Sequence, residues 1–156
     1  MDYRYDTYCG LYCGACPVLV ANKKGAVDEL AKKIEMDPAD LVCAGCKSGA
    51  RKAPRADCEF VLCALEKGVE FCGDCGEYPC KGLTDFRDDE WAHHSAVTKN
   101  LDRLKEIGLA AWLEEQDARW TCGACGARFD WYDEKCPDCG AETRDARAEE
   151  KALKKG

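Results

Sequence analysis

The side chains able to do chemistry in this chain are thiols: 14 of 156 residues are cysteine. Ten form five CxxC pairs, Cys13/Cys16, Cys43/Cys46, Cys72/Cys75, Cys122/Cys125 and Cys136/Cys139, and Cys9, Cys58, Cys63 and Cys80 complete the set. A CxxC turn puts two sulfurs on one side of a tight backbone loop, which suits a metal ion, a redox dithiol or a disulfide. A redox pair belongs in a βαβ unit, and the sequence offers none. The chain opens Met1-Asp-Tyr-Arg-Tyr-Asp-Thr-Tyr, without the apolar run of a signal peptide. No stretch reaches the roughly 18 apolar residues of a membrane span. The expectation is a cytoplasmic protein with reduced thiols, and all fourteen cysteines are read as metal ligands.

Composition points the same way. Leu, Ile, Val and Phe together supply 25 of 156 residues, and the net charge is −7. So little branched carbon with that charge falls in the range of disordered chains, unless something else holds the fold. A structural zinc contributes an apparent ~10–16 kcal/mol in small peptides, on the scale of a domain's whole net stability of ~5–15 kcal/mol. About three zinc sites would offset the thin core.

The strongest local pattern is residues 119–142, where CxxC, ten residues and a second CxxC bring Cys122, Cys125, Cys136 and Cys139 to one hairpin. Gly126 and Gly140 follow the pairs, where a left-handed backbone turns N–H groups toward sulfur. Ala127, Phe129 and Trp131 alternate with Arg128, Asp130 and Tyr132, as in a half-buried strand. The piece resembles zinc ribbons and the rubredoxin-like modules of rubrerythrins, the Cys136-Pro137-Asp138-Cys139-Gly140 half most closely. That resemblance implies the ligands and leaves the metal open: zinc would be structural, iron a one-electron carrier.

In the first half the order is CGLYCGACP, CAGC, CEFVLC and FCGDCGEYPC. The series, with Pro17, Gly45, Pro79 and Gly82, resembles the bacterial and archaeal family catalogued as domain of unknown function 3795, regarded as cysteine-rich and zinc-binding, from Cys9 to about Leu83. The resemblance implies metal binding in a knuckle-rich α+β domain and no known reaction. By spacing, Cys43, Cys46, Cys58 and Cys63 can close one site. Cys9, Cys13, Cys16, Cys72, Cys75 and Cys80 are then left for a further site or a 4Fe–4S cluster. The CxxxCxxC run from Cys9 to Cys16 is also that of radical S-adenosylmethionine enzymes. Ala15 stands where those usually have an aromatic residue, and 156 residues fall short of a full barrel of about 250.

The elements that must position these thiols are short. Pro17 begins a helix that ends before Gly25; residues 26–36 read as an amphipathic helix on Val27, Leu30, Ala31 and Ile34; Cys58 to Lys67 reads as a helix stopped by Gly68. Asp88 and Asp89 are expected to cap a longer helix with Trp91, Val97, Leu101 and Leu104 inside, broken at Gly108 and continued from Leu109 to Gln116. Trp91, Trp112, Trp120 and Trp131 are read as core, with Trp131 and Tyr132 the surface candidates among the ribbon aromatics. The tail from Thr143 reads as a frayed helix or disorder.

No catalytic constellation is visible. His93 and His94 are adjacent on a helix and cannot face one another; they are expected to be one exposed and one packed. Overall acidity argues against a phosphate-binding face, although Lys47, Arg51, Lys52 and Arg55 form one basic loop, read as exposed. The sequence therefore predicts a small metal-stabilised α+β protein: a cysteine-rich domain (1–86), a helical linker (87–118), a zinc ribbon (119–142) and a charged tail (143–156). Its expected role is binding a protein partner, with iron-based redox chemistry as the alternative.

Overall fold

A computed structural model describes residues 1–49 and 57–156. Seven α-helices are found among them: α1 (Pro17–Lys24), α2 (Val27–Ile34), α3 (Glu59–Lys67), α4 (Lys81–Arg87), α5 (Val97–Ile107), α6 (Leu109–Arg119) and α7 (Ala146–Lys155). Short 3₁₀ turns cover Cys13–Ala15, Pro38–Leu41, Cys72–Asp74 and Ala92–Ala96. The β structure among the described residues consists of isolated bridges, among them the antiparallel pairs Thr121 with Arg128 and Lys135 with Glu142. The fold is thus mostly helical where α+β was expected. The chain between the cysteine pairs is taken up by short helices instead of strands.

Glycines end the helices where the sequence placed them. Gly25 and Gly68 sit at φ 69° and 66°, and each donates its N–H back to the last turn of α1 or α3. The segment after α4 departs from expectation. Asp89 accepts the N–H of Trp91 at 2.8 Å, a 3₁₀ turn follows, and α5 starts only at Val97. A 3₁₀ turn holds three residues rather than 3.6, so the apolar phase is reset there. Val97, Leu101 and Leu104 are buried as expected, but Trp91 is 52% exposed and lies outside the core.

One apolar cluster runs through the molecule. It joins Leu19 of α1, Phe60 of α3, Leu83 of α4, Val97 and Leu101 of α5 and the fully buried Trp112 of α6 to Trp120, Phe129 and Trp131 beside the C-terminal cysteines. Trp131, expected as a surface candidate, is buried; its N–H donates to Ala15 O at 3.0 Å, and its carbonyl accepts from Ala146 at 2.8 Å. The charged tail is therefore a docked helix. Asp145 caps α7 by accepting from Ala148, and Glu149 meets Lys99 of α5 and Arg119 of α6. His93 stacks on Trp131 with ring centres 4.0 Å apart and hydrogen-bonds Tyr132. His94 stacks on Phe86 and pairs with Asp89. Both histidines are packed, which corrects the expectation that one is exposed.

Candidate metal centres

The C-terminal centre is built from two copies of one backbone device. Cys122 N–H donates to Ala127 O and Gly126 N–H returns to Cys122 O; Cys136 N–H donates to Ala141 O and Gly140 N–H returns to Cys136 O, all at 2.7–2.9 Å. Gly126 (φ 79°) and Gly140 (φ 74°) supply the left-handed step each loop needs. The two loops face each other, and the four sulfurs lie within 4.8 Å of one another, the single such group among the described residues. Cys122 Sγ is 3.7 Å from Cys139 Sγ, and Cys125 Sγ is 3.5 Å from Cys136 Sγ. A metal–sulfur bond of about 2.3 Å in a regular tetrahedron requires sulfur edges of about 3.8 Å, so the set is dimensioned for one ion.

Electrostatics matches that geometry. The N–H groups of Cys125 and Ala124 point at the Cys122 sulfur and hold its pKa near 7. The Cys125 sulfur accepts from Ala127, which lowers its pKa, but facing Cys139 and Cys136 outweigh this and push it up to about 12. Four crowded thiols cannot all ionise by themselves; a divalent cation among them reverses the balance. Phe129 and Trp131 are buried beside the loops, so the alternation read from the sequence places the right side chains inward although no ladder forms.

In the first half, the organising element is the irregular segment from Arg4 to Tyr8, which no sequence motif singles out. Arg4 N–H donates to Ala44 O at 2.7 Å, Cys13 N–H to Tyr5 O at 2.8 Å and Cys72 N–H to Tyr8 O at 2.8 Å. Five residues thus splint three CxxC turns. Asn22 of α1 adds a tether, accepting from Cys43 N–H at 3.2 Å and donating to Leu41 O. Gly45 N–H points at Cys43 Sγ, repeating the thiolate-directed amides of the C-terminal loops. Gly45 sits at φ 104°, and a Cβ there would lie 2.0 Å from Arg4 O. Gly45→Ala is therefore expected to cost about 3 kcal/mol, combining backbone strain with a clash against main chain; chemical denaturation of the two proteins measures it.

The structure distributes the ten N-terminal thiols differently from the spacing argument. Cys13 is half-buried, and desolvation together with Cys16, Cys46, Cys9 and Cys43 pushes its pKa well up. Burial, with Cys9 and Cys58 nearby, raises Cys46 to about 11 against the help of the Tyr8 N–H. Cys9, Cys13, Cys16, Cys43, Cys46 and Cys58 thus lie near one another, and Cys72 adjoins this set through Cys9 while also facing Cys80, Cys63 and Cys75. Cys63 lies elsewhere, lining a small cavity with Cys72, Cys75 and Cys80. The proposed grouping of Cys63 with Cys43, Cys46 and Cys58 is not the arrangement seen.

Lys47 also moves from its expected place. Its ammonium lies 3.0 Å from Asp6 and 3.6 Å from the centre of the Phe71 ring, with the side chain only 7% exposed. It is a buried partner of the splint, not part of a solvated basic loop; Arg51, Lys52 and Arg55 fall outside the described residues. Sequence reading missed Asp6 as well, and no local pattern marks it.

The profile of a family described as protein of unknown function, DUF3795, matches residues 5–85, just over half the chain. The chain belongs to this family. The matched span begins at the splint and ends in α4, so it takes in all three N-terminal CxxC turns and the ten N-terminal cysteines, while the C-terminal four-sulfur centre lies beyond it. No curated protein and no solved structure matches the chain. No helix among the described residues is long and apolar enough to cross a membrane.

Proposed function

We propose that this protein is a cysteine-rich metal carrier of structural ions, chiefly zinc, and that it acts as a binding or adaptor module for a protein partner in the cytoplasm. The observation that carries the reading is the C-terminal set of four sulfurs at tetrahedral spacing. Four protein thiolates close the coordination sphere and leave no position for substrate or water, which is the mark of a structural rather than a catalytic ion. The buried contact of Trp131 with Ala15 then transmits that order into the N-terminal domain. Leu62 and Leu65, exposed one turn apart on α3, give a protein partner an apolar foothold. The net charge of −7 disfavours nucleic acid as that partner.

One observation favours a second reading. Cys125 and Cys139 are exposed, and the same four sulfurs would hold iron as readily as zinc, with surface sulfurs serving electron exchange. Elemental analysis and a visible spectrum of one anaerobically purified, iron-replete sample separate the two. Zinc with no visible absorbance is expected. Iron with thiolate-to-iron charge-transfer bands would overturn the structural reading in favour of redox chemistry.

A further inference from the structure

Cys63, Cys72, Cys75 and Cys80 come from four different places: the middle of α3, both ends of the 3₁₀ turn at Cys72–Asp74, and the residue capping α4. They nevertheless line one cavity, together with Phe60, Lys67, Tyr78 and Leu83. Its volume is about 40 Å³. Pockets for organic ligands run to roughly 300–1,000 Å³, whereas a single water occupies about 30 Å³, so the space admits an ion and little else.

We propose that these four cysteines hold a single thiophilic metal ion at a second centre, separate from the C-terminal one and from the six thiols around Cys13. The chemistry rests on the metal-binding reading above, while the ligands are entirely different. Three features support it beyond the count of sulfurs. The turn carrying Cys72 and Cys75 is pinned by the Cys72 N–H to Tyr8 O bond and packs on α5, so two ligands are held by the scaffold. Cys63 and Cys80 are exposed, which leaves their side chains room to turn; the four sulfurs are spread wider than the C-terminal set, and binding an ion would draw them together. Finally, Lys67, which pairs with Glu77, also places its Nζ 3.7 Å from Cys75 Sγ. A divalent ion with four thiolates carries net charge −2 after the thiols release their protons to solvent, and an ammonium against one sulfur offsets part of it.

The arrangement has a functional corollary. Both centres have two exposed ligands, but here the other two, Cys72 and Cys75, are half-buried where Cys122 and Cys136 are buried, so this centre exchanges metal faster than the C-terminal one.

The test is maleimide footprinting by mass spectrometry on the full chain, with metal content measured in parallel. In the wild type, Cys63, Cys72, Cys75 and Cys80 should be protected. C63A should lose one metal equivalent and expose Cys72, Cys75 and Cys80, leaving Cys43, Cys46 and Cys58 protected. Exposure of Cys43, Cys46 and Cys58 in C63A, or labelling of the four wild-type thiols at the rate of free cysteine, would overturn the proposal. Should C63A fail to fold, graded chelation of the wild type supplies the readout: the four must lose protection in one step, before Cys122, Cys125, Cys136 and Cys139. Release of iron with labile sulfide in that step would also overturn it. Failure of the C-terminal reading is seen separately, as unprotected Cys122, Cys125, Cys136 and Cys139.

Discussion

Cys136→Ala is expected to remove one metal equivalent per chain and to unfold residues 119–142 under conditions in which the wild type is fully folded. Cys136 is buried, donates its N–H to Ala141 and faces Cys125 at 3.5 Å, so alanine deletes a ligand from the inside of the centre. The hairpin has only two isolated bridges to fall back on. A structural zinc in such a module contributes an apparent ~10–16 kcal/mol, more than two bridges and three aromatic side chains can replace. The loss should spread, because Trp131 joins Ala15, His93 and Ala146. Intrinsic fluorescence reports it: emission of Trp120 and Trp131 should shift to the red and α7 should lose amide protection. An unchanged spectrum with one metal fewer would show that packing alone holds the hairpin.

The second large effect is expected at Asp6. Its carboxylate is buried and paired with Lys47 at 3.0 Å and Arg4 at 3.2 Å. Asp6→Asn leaves the Lys47 ammonium in the interior without its countercharge, and removing one member of a buried pair typically costs about 3–5 kcal/mol. The cost falls on the splint that joins the Cys13, Cys43 and Cys72 turns, so metal retention should weaken with stability. Adding Lys47→Met to Asp6→Asn should recover much of the loss, since the stranded charge is then gone. A cost under about 1 kcal/mol would mean the pair is screened as a surface pair is.

The same carboxylate gives a pH dependence of definite sign. Burial pushes the Asp6 pKa up, but the hydrogen bonds from Arg4 and Lys47 and their charges more than offset it, and the folded-state value lies below the usual carboxylate range. Asp6 is therefore a stronger acid in the folded chain than in the unfolded one. Its contribution is fully present above the unfolded pKa of about 3.9 and is lost as pH falls through the depressed folded value. Asp6→Asn should flatten that part of the acid limb; urea titrations of both proteins between about pH 2 and pH 5 measure the difference.

Legibility in the sequence followed the range of the interactions. The C-terminal ligands, Gly126 and Gly140 could be read because a CxxC loop closes on itself within five residues. Helices α1, α2, α3 and α6 were readable from period, Pro17, Gly25, Gly68 and Gly108, all of them local signals. What escaped depends on contacts far along the chain. Residues 4–8 carry no periodicity, and their role appears only when Ala44, Cys13 and Cys72 arrive beside them. Lys47 looks like loop charge until Asp6 and Phe71 enclose it. Cys63 sits five residues from Cys58, yet α3 carries the two to different neighbourhoods: Cys58 stands at its N-cap, and Cys63 lies more than one turn along. Trp91 was misplaced for another reason, since a 3₁₀ turn shifts the phase that helical counting assumes constant.

The central claim is that metal ions, and not the apolar core alone, set this fold. Amide hydrogen exchange on the full chain, with native mass spectrometry before and after exhaustive chelation under reducing conditions, tests it most directly. The expected result is stepwise loss of metal, with protection collapsing over residues 119–142 and over the Cys13, Cys43 and Cys72 turns as the ions leave. A metal-free chain that keeps its protection in those segments would contradict the account.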